Sequence, residues 1–165
     1  MKTKMMMLFL VLGSWGAFAQ HDHAKMSDEK QMDQNMAMFK DAKLGTAYEH
    51  YINLKNALVA SKSDDAKKSA NGLQKVLKDV SGSAAAIEAT SKLASASDLT
   101  EQRKLFSTLS NEMTTLVKGG KLSMGMLYLE YCPMANNNTG GYWLSNEKEI
   151  KNPYFGDKML KCGSV

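Results

Sequence analysis

The sequence predicts a mainly α-helical protein, an up-down bundle of about four helices followed by an irregular C-terminal lobe. Between residues 38 and 118, apolar residues recur every three to four positions, which is the period of a helix with one buried face. Clusters of serine, aspartate and glycine divide this region into separate segments. After Gly120 the helical period is lost, and the only two cysteines of the chain follow.

Four stretches carry the helical pattern. The predicted helices cover residues 38–61, 64–80, 84–95 and 99–118. The first carries an apolar stripe that includes Tyr48, Tyr51 and Leu58. The fourth ends at Gly119 and Gly120, where glycine tolerates a left-handed turn. Such stripes are what a bundle needs to build a hydrophobic core, so they require no further function.

The C-terminal lobe, residues 120–165, is predicted to be irregular. The run SMGMLYLEYC alternates its side chains with a period of two, which favours an extended segment. Pro133 and the run NNNTGG interrupt any regular element after it. Residues 157–162 are predicted to form one helical turn that Gly163 ends. We therefore predict a single helical domain over residues 38–165.

The first residues have the pattern of a secretory signal peptide. Lys2 and Lys4 precede the apolar run MMMLFLVLGSWGAF, and residues 17–19 fit a small-x-small cleavage site. The sequence therefore predicts a signal peptide at residues 1–19, cleavage after Ala19, and a periplasmic location. The alternative is a retained N-terminal anchor, which the shortness of the apolar run disfavours.

Residues 20–37 form a polar segment rich in methionine and histidine. His21 and His23 would stand close to the new amino terminus, with methionines after them. Imidazole suits Cu(II) and flexible thioethers suit Cu(I), so we predict that this segment captures metal. The alternative is a solvated tail whose methionines begin a core stripe.

Charge and composition exclude several classes of function. The formal net charge is +4, and removal of Lys2 and Lys4 would leave +2 without a long basic run, so nucleic acid is not an expected partner. No further apolar stretch of the mature chain is long enough to span a membrane. Triad signals, a phosphate-binding glycine loop, a CxxC pair and a haem-attachment motif are absent from the sequence, so we expect neither an enzyme nor a haem protein. The acidic residues near the cysteines, Glu130 among them, are predicted to be solvated charges.

Cys132 and Cys162 permit two interpretations. In an oxidising compartment a disulfide is the simplest outcome, and closing a loop of about thirty residues would contribute roughly 3–4 kcal/mol. The alternative is a metal site. A disulfide and two metal-bound thiolates exclude each other in one redox state, and the spacing leaves both interpretations open.

The metal interpretation uses the methionines beside the cysteines. Met134 follows Cys132 by two residues, which would place both side chains on one side of an extended segment. Met159 precedes Cys162 by three residues, which would place both on one face of a helical turn. Two thiolates and two thioethers select soft ions such as Cu(I) or silver. The predicted metal ligands are Cys132, Met134, Met159 and Cys162, with His21 and His23 in a secondary capture segment.

The run YCPMA, followed by GGYWLS and EIKNPYFGDKMLKCG, resembles the signature of a periplasmic domain family of uncharacterised function. The matching positions run from Tyr131 to Gly163. The helical region that begins FKDAKLGTAYEHYINLKNAL looks like the helical half of the same family. Members occur alone in small exported proteins. They also occur at the C-terminus of adaptor (membrane-fusion) subunits of copper/silver-type heavy-metal efflux pumps.

The resemblance implies a helical domain associated with metal handling, and it brings no ligand set. We therefore predict a periplasmic soft-metal binding protein, with Cu(I) favoured, that acts as a chaperone or buffer or assists heavy-metal efflux. Its predicted partners are the metal ion and an efflux adaptor. The alternative is a protein-interaction module in which Cys132 and Cys162 form a structural disulfide. In that case the loop with Trp143, Tyr154 and Phe155 would dock a partner.

Overall fold

The structure is a computed structural model that describes residues 36–165, and it confirms the mainly α-helical architecture. Its long helices are α1 (Ala42–Val59), α2 (Ser63–Leu77), α3 (Ala84–Ala94) and α4 (Leu99–Lys118). Its strands are β1 (Met38–Phe39), β2 (Leu122–Met124), β3 (Tyr128–Cys132) and β4 (Gly141–Ser145). A 3-10 helix covers Gly156–Met159. The predicted signal peptide and nearly all of the predicted methionine- and histidine-rich segment lie outside the described residues.

Helix α1 begins at Ala42, and the predicted start at residue 38 is wrong. The side chain of Asp41 accepts hydrogen bonds from the backbone N–H groups of Lys43 at 2.9 Å and Leu44 at 3.4 Å, which makes it the N-cap. Residues 38 and 39 form β1 instead, and β1 pairs antiparallel with β2. The chain therefore enters the bundle through a short two-stranded ribbon.

The four helices form a bundle in which each packs on the next and α4 returns to α1. Tyr51 of α1 stacks on Phe106 of α4, with 5.5 Å between the ring centroids. The predicted apolar stripes are confirmed as core. Large side chains with no exposed surface are Tyr48, Tyr51, Leu54, Leu58, Leu73, Leu77, Leu93, Phe106, Leu109 and Met113. None of the helices within residues 36–165 is both long enough and apolar enough to cross a membrane.

The C-terminal lobe contains a regular β-hairpin. Strand β3 pairs antiparallel with β4, from Tyr128 opposite Ser145 to Cys132 opposite Gly141. The predicted extended segment is thus confirmed for β3. The prediction of an irregular lobe is wrong at residues 141–145, because these residues complete the backbone hydrogen bonds of β3.

The tyrosines of α1 hold this hairpin on the bundle. The hydroxyl of Tyr51 accepts a hydrogen bond from the backbone N–H of Leu144 at 3.0 Å and shares another with the Ser110 hydroxyl at 2.8 Å. Tyr48 donates its hydroxyl to Oδ1 of Asn146 at 2.9 Å. The predicted α1 stripe therefore supplies polar anchors for the lobe as well as apolar surface for the core.

Candidate functional site: the paired thiols

The end of the chain brings the two cysteines together. Ser164 exchanges two backbone hydrogen bonds with Tyr131 of β3, at 2.8 and 2.9 Å. Gly163 has a φ of +146°, and a Cβ at this position would lie 2.9 Å from the indole ring of Trp143. Because this glycine lets the chain lie against the tryptophan and β3, Cys162 is carried to Cys132 at the end of that strand.

The two sulfurs are in contact. The Sγ atoms of Cys132 and Cys162 are 2.7 Å apart, and both cysteines are free. Cys132 has no exposed surface and Cys162 is half-buried. The hydrogen bond with the Cys132 thiol, together with burial, raises the pKa of Cys162. Since the thiolate is the form that binds metal, binding at this pair must displace protons.

The observed distance between the two sulfurs lies between the distance in a disulfide and the distance in a metal site. A tetrahedral ion with metal–sulfur bonds of about 2.3 Å would separate its two sulfurs by roughly 3.7 Å. The thiols would have to move apart by about 1 Å to hold such an ion. A disulfide of about 2.05 Å would require a closer approach of roughly 0.65 Å. Small side-chain adjustments would therefore accommodate either state.

The methionines beside the cysteines line a surface cleft that does not include the two thiols. Met134 and Met159 both line a surface cleft of about 910 Å³ beside the start of α4. Met134 is 45% exposed, whereas Cys132 is fully buried. Strand β3 ends at Cys132, and Met134 has the helical backbone angles φ −85° and ψ −11°. The expected placement of Cys132 and Met134 on one side of an extended segment is therefore wrong.

The other predicted metal ligands, His21 and His23, lie outside the described residues. Among residues 36–165, no three histidine, cysteine, aspartate or glutamate side chains come together in a way that could hold a metal ion.

Glu130 is a buried polar residue whose environment the sequence analysis predicted wrongly. It has no exposed surface, and neither carboxylate oxygen has a hydrogen-bond partner in the described part of the chain. Burial raises its pKa to about 7, although the Lys55 ammonium acts in the opposite direction. Lys55 is itself 3% exposed, and burial lowers its pKa. The period-two pattern already placed Glu130 on the same side of β3 as Cys132, which is the buried side.

The aromatic residues of the lobe are not arranged as a docking loop. Trp143 has no exposed surface, Tyr154 is 6% exposed, and Phe155 is half-buried. The hydroxyl of Tyr154 donates to the backbone carbonyl of Tyr142 at 2.6 Å, which fixes the ring under the hairpin. The expectation that these side chains face a partner is therefore wrong for Trp143 and Tyr154, because both belong to the core.

Comparison with known proteins finds one similarity in the helical region. Residues 47–125 match the model of a family described as "Protein of unknown function (DUF3347)". The match covers most of α1 and continues to the turn after β2. The paired thiols lie beyond the matched residues. No curated protein matches the chain, and no solved structure matches it.

Proposed function

We propose that this protein is a periplasmic soft-metal binding protein, with Cu(I) as its ion, that buffers or delivers copper or assists heavy-metal efflux without catalytic turnover. The observation that supports this proposal most directly is the contact between the two thiols. Cys132 and Cys162 are thirty residues apart in sequence, and their sulfurs are 2.7 Å apart. Two thiolates provide the soft, anionic donors that Cu(I) prefers over oxygen and nitrogen ligands.

Binding at this pair is expected to depend on pH and on redox state. Each thiol loses its proton to the solvent as its sulfur bonds to the ion, and the copper stays Cu(I) throughout. The raised pKa of Cys162 makes this proton release less favourable near neutral pH, so affinity should increase as the pH rises. An oxidised pair has no thiolate to offer, so the disulfide form should not bind at this position.

A Cu(I) titration of the reduced protein against a chromophoric chelator tests the proposal. We expect one equivalent to bind at the thiol pair, and we expect Cys132→Ser and Cys162→Ser each to weaken binding there by tenfold or more. Thr115→Ala, at an exposed position of α4 outside the cleft that Met134 and Met159 line, is the control for general effects of substitution. Affinity that neither cysteine substitution changes would exclude the thiol pair as the site.

A second candidate function is a protein-interaction module held by a Cys132–Cys162 disulfide. The complete burial of Cys132 favours it, because a buried thiol in contact with its partner needs no metal to explain it. Mass measurement of protein prepared without reductant separates the two candidates. A loss of two hydrogens that persists in copper-supplemented cells, with no metal bound, supports the interaction module.

A further inference from the structure

The ribbon formed by β1 and β2 brings together methionines from distant parts of the sequence. Met38 lies directly opposite Met124 in the antiparallel pair. Directly opposed residues in such a pair have Cβ atoms about 4.5–5.5 Å apart, so the two thioethers are within reach of each other. Met38 is 41% exposed and Met124 is 63% exposed.

Two further methionines flank this pair. Gly125 follows Met124 with a φ of +77°, and a Cβ at this position would lie 2.5 Å from the carbonyl oxygen of Met36. Met36 therefore runs beside the turn that leads to Met126, which is also 63% exposed. The hydroxyl of Tyr128 donates to Sδ of Met126 at 3.6 Å. We call Met36, Met38, Met124 and Met126 the methionine ribbon.

The methionine ribbon exposes apolar side chains at positions where a strand normally exposes polar ones. The sequence neighbours of Met38, Ala37 and Phe39, are buried, while Met38 between them points outward. Outward positions of a short exposed strand normally carry polar or charged residues. The thioethers of Met38, Met124 and Met126 are therefore accessible to an ion from the solvent.

We propose that the methionine ribbon is a binding site for a soft monovalent metal ion, Cu(I) or Ag(I), separate from the paired thiols. Thioethers are neutral, polarisable donors that suit these ions and match poorly to magnesium or calcium. Methionine has three flexible side-chain torsions, so several sulfurs can converge on one ion without movement of the backbone. Met38 and Met124 are both exposed, so an ion can reach their sulfurs from the solvent.

The methionine ribbon differs from the thiol pair in its dependence on conditions. A thioether has no proton to lose, so binding there should be insensitive to pH where thiolate binding weakens. It should also persist when Cys132 and Cys162 are oxidised to a disulfide. These properties allow the two sites to be tested separately. A result that excludes binding at one site does not exclude binding at the other.

Silver ion is the suitable probe, because it needs no reductant and the protein can be kept oxidised. The purified chain, labelled with ¹³C at the methionine methyl groups, is titrated with Ag(I) at about pH 5.5, well below the usual thiol pKa. We expect the methyl resonances of the methionine ribbon to shift first, with saturation near one equivalent. Substitutions to leucine assign the resonances and keep side-chain volume nearly constant.

The decisive comparison is between two double variants. Met38→Leu with Met124→Leu should weaken Ag(I) binding by about tenfold or more, which corresponds to about 1.4 kcal/mol. Met134→Leu with Met159→Leu removes two thioethers from the cleft and should leave this affinity unchanged. Thermal unfolding of each variant checks that the fold is kept. Equal affinities in wild type and the Met38/Met124 variant, or first shifts at Met134 and Met159, would overturn the proposal.

Discussion

Replacement of Glu130 by glutamine should remove a large part of the pH dependence of stability. The carboxyl group is fully buried, and its pKa is raised to about 7 from an ordinary value of 4.5. The folded state therefore favours the protonated form. The stability that this group contributes is fully present below pH 4.5 and is lost as the pH rises through about 7.

The size of the effect follows from the shift. A difference of one pKa unit corresponds to about 1.4 kcal/mol, so the raised pKa of Glu130 accounts for about 3 kcal/mol between its two limits. Glutamine keeps the shape of the side chain and cannot ionise. Relative to wild type, Glu130→Gln should therefore gain about 3 kcal/mol of unfolding free energy as the pH is raised from about 4.5 to 8. The attraction of the Lys55 ammonium for the ionised carboxylate is already contained in this net pKa shift, so it adds no separate contribution.

Urea unfolding followed by the fluorescence of buried Trp143 measures this difference at several pH values. Glu88→Gln is the matched control, because Glu88 is exposed and its ion pair with Lys92 lowers its pKa. The control should keep the wild-type slope above pH 4.5. Parallel curves for wild type and Glu130→Gln would refute the assignment of Glu130 as a buried group with a raised pKa.

Three further substitutions test contacts within the helical bundle and between the bundle and the lobe, each by urea or thermal unfolding. Gly72→Ala places a Cβ 2.8 Å from Nδ1 of His50. The substitution should therefore stabilise the protein, by about 1 kcal/mol, only when His50 is also replaced by alanine. Equal effects with and without His50→Ala would contradict the contact. Asp41→Ala removes the N-cap of α1 and should cost about 1 kcal/mol, and an unchanged stability would argue against the cap. Tyr51→Phe leaves the backbone N–H of Leu144 and the hydroxyl of Ser110 without their partner, so it should lower the free energy of unfolding by about 1–3 kcal/mol. An unchanged stability would show that the Tyr51 hydroxyl does not hold the lobe on the bundle.

The helical part of the fold was predictable because each stripe and each stop signal is local. Helices α2, α3 and α4 begin within a residue of the predicted positions, since capping and periodicity act over a few neighbouring residues. The start of α1 was predicted too early, because the local capping signal at Asp41 was not used and because the pairing of residue 38 is non-local. Met38 is in a strand because it pairs with Met124, which is far from it in sequence.

The candidate site was predictable in its residue types and not in its arrangement. The sequence indicated that Cys132 and Cys162 belong together, but their contact depends on the bridge from Ser164 to β3. The separation of Met134 from Cys132 depends on where β3 ends, which spacing does not specify. The burial of Glu130 follows from which face of the hairpin packs on the bundle, and period-two alternation alone does not choose that face.

The central claim is that sulfur from this chain binds Cu(I), and X-ray absorption at the copper edge tests it most directly. Reduced protein loaded with one equivalent of Cu(I) should show only sulfur atoms bound to copper. In the variant with Cys132→Ser and Cys162→Ser, the short copper–thiolate contribution should disappear. Copper bound only through nitrogen or oxygen, or protein that retains no copper after gel filtration, would contradict the claim.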